Sequence, residues 1–130
     1  MENHRKPVAT FMLTRKFRLR LAAVLLLCWA LPCYAHAILL SATPAVNQVI
    51  KGPDIEVKLR FNSRIDVKRC RLLLLAPDGK LRSLAIDDSS GADTLISHAT
   101  GLAKGSHMLR WQVLASDGHI SRGEVPFRVE

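Results

Sequence analysis

The chain has 130 residues, 48% hydrophobic and 5% aromatic, with 19 Lys and Arg against 11 acids for a formal charge of +8. That length makes one small domain the sensible count. The basicity is uneven: six of the cations and one acid fall in residues 1–35, so residues 36–130 carry only about +3, too little to argue a nucleic-acid partner from charge.

Residues 1–35 read as a leader. Arg5, Lys6, Arg15, Lys16, Arg18 and Arg20 precede an apolar run from Leu21 to Leu31, and Cys33-Tyr34-Ala35 supplies a small-x-Ala exit. A basic head, a short apolar middle and a small-residue end are the parts of a secretory signal peptide. Cleavage after Ala35 would leave 95 residues, 36–130, as one exported domain beginning at His36. The stretch from Leu21 to Leu40 lacks formal charge if His36 is neutral, and about 20 apolar residues suffice to span a bilayer. Pro32 interrupts that stretch, however, and the chain after His36 changes to strand and turn chemistry. We therefore expect cleavage rather than an anchor.

Two of the three cysteines, Cys28 and Cys33, leave with the leader. Cys70 then stands alone, no internal disulfide forms, and the domain relies on its apolar core. The residue reads as a small buried hydrophobe rather than a reactive thiol.

Past the leader, Ala37–Leu40 is a strand candidate that ends at Ser41-Ala42-Thr43-Pro44. From Asp54 to Phe61 the alternation is strict, with Ile55, Val57, Leu59 and Phe61 on one face and charges on the other, as in a half-buried strand. Lys68, Arg69 and Arg71, with Lys58, Arg60 and Arg64 nearby in sequence, read as a solvated basic face, the alternative being a docking patch for an acidic partner or lipid headgroups. Arg71–Ala76 and Leu81–Ile86 flank Pro77-Asp78-Gly79-Lys80, which predicts a hairpin. After a polar loop over 87–93, Thr94–His98 is a short strand and 101–106 a turn region. His107–Leu114 alternates again, placing Leu109, Trp111 and Val113 together, and Val125, Phe127 and Val129 close the chain. Pro126 predicts that this last strand lies at an edge. About seven short strands with regular turn signals predict an all-β, two-sheet immunoglobulin-like sandwich.

Two features carry chemistry. A His36 at a mature amino terminus offers its α-amine and ring Nδ1 as a bidentate chelate. The amine, with a pKa of about 7.7–8.0, gives up its proton to a strong Lewis acid near neutral pH. Near the other end lies Asp117-Gly118-His119. In an extended segment Asp117 and His119, at i and i+2, face the same way and add a carboxylate oxygen and an imidazole nitrogen. Three nitrogens and one oxygen around a square plane favour Cu(II) over Ca, Mg or Mn. The bland alternative for Asp117-Gly118-His119 is a plain turn, with Asp accepting backbone hydrogen bonds and Gly at positive φ.

With these residues in view, residues 36–130 resemble the CopC family of periplasmic copper-binding proteins. The opening His36 through Ala45 is similar to H-A-x-L-x-x-S/A-x-P-A, and Val57, Leu59 and Phe61 match V-x-L-x-F. Gly105, Leu109, Trp111, Asp117-Gly118-His119, Gly123 and Phe127 fall at the spacing of G-x-Y-x-V-x-W, D-G-H and G-x-x-x-F. The resemblance implies the same sandwich, one Cu(II) per chain held by His36, Asp117 and His119, and a role in periplasmic copper homeostasis or resistance. It also implies an inner-membrane copper-transport partner of the CopD type; we expect a monomer and no enzymatic activity.

The chain departs from the family in four places. Met108 is the single methionine after the leader, so no thioether site for Cu(I) assembles. The family's F-S-E reads Phe61-Asn62-Ser63 here; if the Glu orients the first residue, Ser63 substitutes or the support differs. Asn47 replaces a usual Gly and tolerates left-handed geometry. His107 replaces a usual Tyr on the face of Leu109 and Trp111 and reads as an aromatic substitute there rather than an extra ligand; His98 reads as a surface residue. Two other function classes compete with a copper carrier. A histidine-brace copper enzyme of the lytic monooxygenase type shares the two His ligands but needs an open coordination position and a broad substrate surface. The other is a metal-free immunoglobulin-like interaction module.

Overall fold

Residues 36–130 are described by the computed structural model, and the expected leader lies outside them. Eight strands follow in chain order: β1 (Leu39–Thr43), β2 (Gln48–Ile50), β3 (Ile55–Phe61), β4 (Arg71–Leu75), β5 (Leu81–Leu84), β6 (Thr94–Ala99), β7 (Gly105–Leu114) and β8 (Ile120–Val129). A single 3₁₀ turn, Val67–Arg69, precedes β4. No helix among the described residues is long and apolar enough to cross a membrane.

The strands form two sheets, ordered β1-β3-β6 and β2-β8-β7-β4-β5. Every pairing is antiparallel except the short parallel one between β2 and β8. Period-two patterning explains the packing, because alternate side chains leave a strand on opposite faces. Val57, Leu59 and Phe61 of β3 point into the core while Glu56, Lys58 and Arg60 face water. Leu95 and Ala99 of β6 join them from the same sheet. The five-stranded sheet answers with Leu72, Leu74, Leu109, Trp111, Val113, Val125, Phe127 and Val129, so the two inner faces share one apolar layer. This is the immunoglobulin-like sandwich expected from the sequence.

Several local expectations need correction. The first strand begins at Leu39 rather than Ala37 and runs to Thr43. A strand not foreseen, β2, exists because Gln48, Val49 and Ile50 pair with Phe127, Arg128 and Val129. That pairing also places β8 between β2 and β7, so Pro126 is not on an edge strand. The proline is tolerated because the β2 ladder starts only at Phe127. Its carbonyl accepts the Asn47 amide at 2.7 Å, so its donorless nitrogen faces the open end of that ladder, not β7.

The remaining residues with stated expectations fall into place. Cys70 is 8% exposed, and its thiol donates to the Asp66 carbonyl at 3.1 Å. His107 is buried and stacks on Phe127 with ring centroids 5.2 Å apart. His98 is exposed, its Nε2 3.8 Å from an Asp87 carboxylate oxygen. Asn47 takes a φ of 62°. The basic residues do not form one patch: Lys58 and Arg60 lie on the outer face of the three-stranded sheet, Arg71 on that of the other, and Lys68 and Arg69 on the 3₁₀ turn.

Candidate metal centre

At one end of the sandwich the amino-terminal arm, residues 36–38, meets the β7–β8 connection. Ala115–His119 is a tight hairpin turn, not the extended segment expected. The Ala115 amide donates to the His119 carbonyl at 2.8 Å, the Gly118 amide to the Ala115 carbonyl at 2.9 Å, and Gly118 takes a φ of 90°. A side chain at that φ would be strained, which is why glycine stands between the two polar residues. The turn itself, rather than period-two alternation, brings Asp117 and His119 together.

Asp117 engages His119 through both carboxylate oxygens. The His119 backbone amide donates to Oδ1 at 3.1 Å, and Oδ2 lies 2.9 Å from His119 Nδ1. The backbone hydrogen bond, followed by the one from the His119 side chain, holds the Asp117 carboxyl below its ordinary range. An ionised carboxylate accepts hydrogen bonds only, so the ring donates from Nδ1, and in the neutral imidazole the lone pair is at Nε2. The His119 side chain is 59% exposed, so that lone pair has access to solvent.

The His36 ring lies beside that of His119, with centroids 5.5 Å apart and planes inclined by 40°. The arm carrying His36 is anchored by Ala37, which is 4% exposed, and by Ile38, which pairs with Asn62. Asn62 was not singled out by sequence, where no spacing or charge marks it. Ser63, one of the two alternatives left open for the role of the family's Glu, leaves its buried Oγ without a hydrogen-bond partner among the described residues. Its side chain therefore does not hold the arm by hydrogen bonding.

The structure thus gathers His36, Asp117 and His119 at one end of the domain. It keeps His98, His107, Cys70 and Met108 apart from them. Met108, at the opposite end of β7, lines a shallow groove with Leu75, Pro126 and Val49. Among the described residues no three His, Cys, Asp or Glu side chains converge as a ready-made metal cage. At this end the Asp117 carboxylate is turned onto His119, and the two imidazoles lie side by side.

Behind this end, Phe61 packs edge-on against Trp111 at 5.1 Å, and Gly123 lies under the indole. A Cβ on Gly123 would meet Trp111 Cε2 at 2.7 Å, so the motif glycine makes room for the motif tryptophan.

Comparison with known proteins agrees with this architecture. CopC from Methylosinus trichosporium OB3b is 30% identical, with a TM-score of 0.66 over 73% of this chain and 94% of that one. PcoC, a methionine-rich copper resistance protein from Escherichia coli, is 24% identical, with a TM-score of 0.55 over 74% of this chain and 100% of that one. No curated protein sequence matches the chain. The CopC domain matches residues 39–130, most of the sequence. By that match this chain belongs to the CopC domain family.

Proposed function

We propose that the chain is an exported copper-binding protein that holds one Cu(II) ion at the end of its sandwich and performs no reaction on it. The single observation that carries this reading is the 5.5 Å separation of the His36 and His119 rings. With metal–nitrogen bonds of about 2.0 Å, as imidazole makes to zinc, two rings on one ion place their centroids about 4.4 Å apart when cis and about 6.2 Å when trans. The observed separation falls inside that interval. The two rings are therefore near enough to share an ion once their donor nitrogens turn to it.

In this reading His119 donates through Nε2, and Asp117 fixes the tautomer and angle of the ring in the manner of a carboxylate–histidine–metal relay. His36 donates its ring Nδ1 and, once the leader is removed after Ala35, its α-amine. The amine supplies the third nitrogen that no side chain here provides. Asp117 keeps an oxygen close to the ion, adding negative charge to a site that receives two positive ones. A nitrogen-rich, tetragonal set of this kind selects Cu(II) among the divalent ions. Its destination is the periplasm, in copper homeostasis or resistance, with delivery to or from an inner-membrane protein of the CopD type. The absence of methionines other than Met108 after the leader separates this chain from a methionine-rich Cu(I) carrier.

Trp111, the single tryptophan after residue 35, packs against Phe61, whose neighbour Asn62 pairs with the arm that carries His36. Paramagnetic Cu(II) added to the exported protein should quench its emission to an end point at one equivalent. His119→Ala should abolish the sharp end point. Unchanged emission in both proteins would contradict the reading.

A further inference from the structure

β3 ends at Phe61, yet its grip on the amino-terminal arm extends one residue further. The Ile38 amide donates to Asn62 Oδ1 at 2.7 Å, while the Asn62 amide donates to the Ile38 carbonyl at 3.0 Å. One side-chain amide thus replaces the carbonyl that a continuing strand would offer. The chain gains a closing rung where the β1–β3 register is already irregular, between Leu39 and Ser41.

Without that rung the arm would fray. Chain termini are poorly ordered unless tied down, and the regular ladder reaches only Leu39. Ala37 is buried, but a single methyl group restrains position more than orientation. The paired hydrogen bonds fix both the amide and the carbonyl of Ile38, hence the direction in which the backbone leaves toward His36. Two residues of extended chain span at most about 7 Å, so little slack separates the rung from the His36 backbone nitrogen. Ser63, next in sequence, offers no such bond.

We propose that Asn62 is the positioning residue of the metal site: it holds the amino-terminal arm so that His36 lies against His119 before any ion arrives. The inference rests on the copper reading above and deepens it. Asn62 is not itself offered as a ligand of the ion. It acts through Ile38 and Ala37, and its role is preorganisation, which lowers the ordering cost that capture would otherwise carry.

The test uses the protein recovered from the periplasm of an expressing cell, as wild type, Asn62→Ala and Asn62→Asp. Amide exchange of Ile38 is followed in the metal-free state, and Cu(II) affinity is measured by chelator competition. Asn62→Ala should speed Ile38 exchange about tenfold and weaken Cu(II) binding about fivefold, the scale of one hydrogen bond. Its electron paramagnetic resonance spectrum at saturation should match wild type, because the donors are unchanged. Asn62→Asp keeps an acceptor and should restore Ile38 protection. Asn62→Ala with wild-type affinity, or with Ile38 still protected, would overturn the positioning role while leaving the copper reading intact. A wild-type protein that takes up no Cu(II) would overturn both, even with Ile38 protected as expected.

Discussion

Asp117 holds His119 at two points, accepting its backbone amide at 3.1 Å and facing its ring Nδ1 at 2.9 Å. A plain turn would need only the first. The second fixes a ring on the solvent-exposed tip of a hairpin, where rotamer freedom would otherwise be large. The Asp-Gly-His sequence is therefore both a turn and the support of an exposed imidazole ring.

Asp117→Ala should accordingly let the His119 ring rotate and sample both neutral tautomers. Nitrogen chemical shifts of the ring report this in the metal-free protein. Loss of such a supporting carboxylate typically weakens metal binding by about 10–100-fold. Asp117→Asn keeps an acceptor and should preserve the tautomer while losing the charge, giving a smaller drop in Cu(II) affinity. An Asp117→Ala protein with wild-type ring shifts and wild-type affinity would contradict the arrangement.

Gly123 is reserved for the Trp111 indole, which a Cβ would meet at 2.7 Å at Cε2 and 3.0 Å at Nε1. A buried aromatic ring wedged between Phe61 and β8 has nowhere to move cheaply. Gly123→Ala should lower the unfolding free energy by about 1–3 kcal/mol, the usual cost of overpacking, with an unchanged denaturant slope. Urea denaturation followed by Trp111 emission measures it. A variant as stable as wild type would show that the indole shifts without strain.

Burial pushes the Cys70 thiol above its ordinary value of 9.0, and the nearby Asp66 charge adds to the shift. The folded state thus holds this proton more tightly than the unfolded chain. Its contribution to stability is complete below the unfolded thiol pKa and is lost as pH rises through the folded one. Cys70→Ala should flatten the alkaline loss of stability. The native thiol should also react with iodoacetamide at pH 8 at least tenfold more slowly than the denatured one, since the thiolate is the nucleophile. Equal labelling rates would contradict a buried, protonated thiol.

Much of the sandwich is legible in the sequence because burial on one face imposes a period of two. Ile55 to Phe61 and Leu109 to Val113 announce their strands by that rule alone. Where long-range pairing decides, the signal disappears. Gln48–Ile50 carries no alternation worth reading and is a strand only because Phe127–Val129 lies beside it. Pro126 points to an edge, and β2 begins to pair with β8 only beyond it, at Phe127. At the candidate site, His36, Asp117 and His119 are visible as chemistry-bearing types near the two ends of the domain. Their mutual placement is not, because an extended reading of the Asp-Gly-His segment leads to the right neighbours by the wrong geometry. Asn62 is invisible altogether: its role depends on meeting Ile38, twenty-four positions away.

The account depends most on the α-amine of His36 as a copper ligand. The direct measurement compares Cu(II) affinity, by chelator competition, for exported protein that begins at His36 and for the same protein with one additional alanine before it. The extension turns the terminal amine into an amide, leaves both imidazoles in place, and should weaken binding by at least a hundredfold. Equal affinities for the two proteins would contradict the chelate and remove the basis of the proposed site.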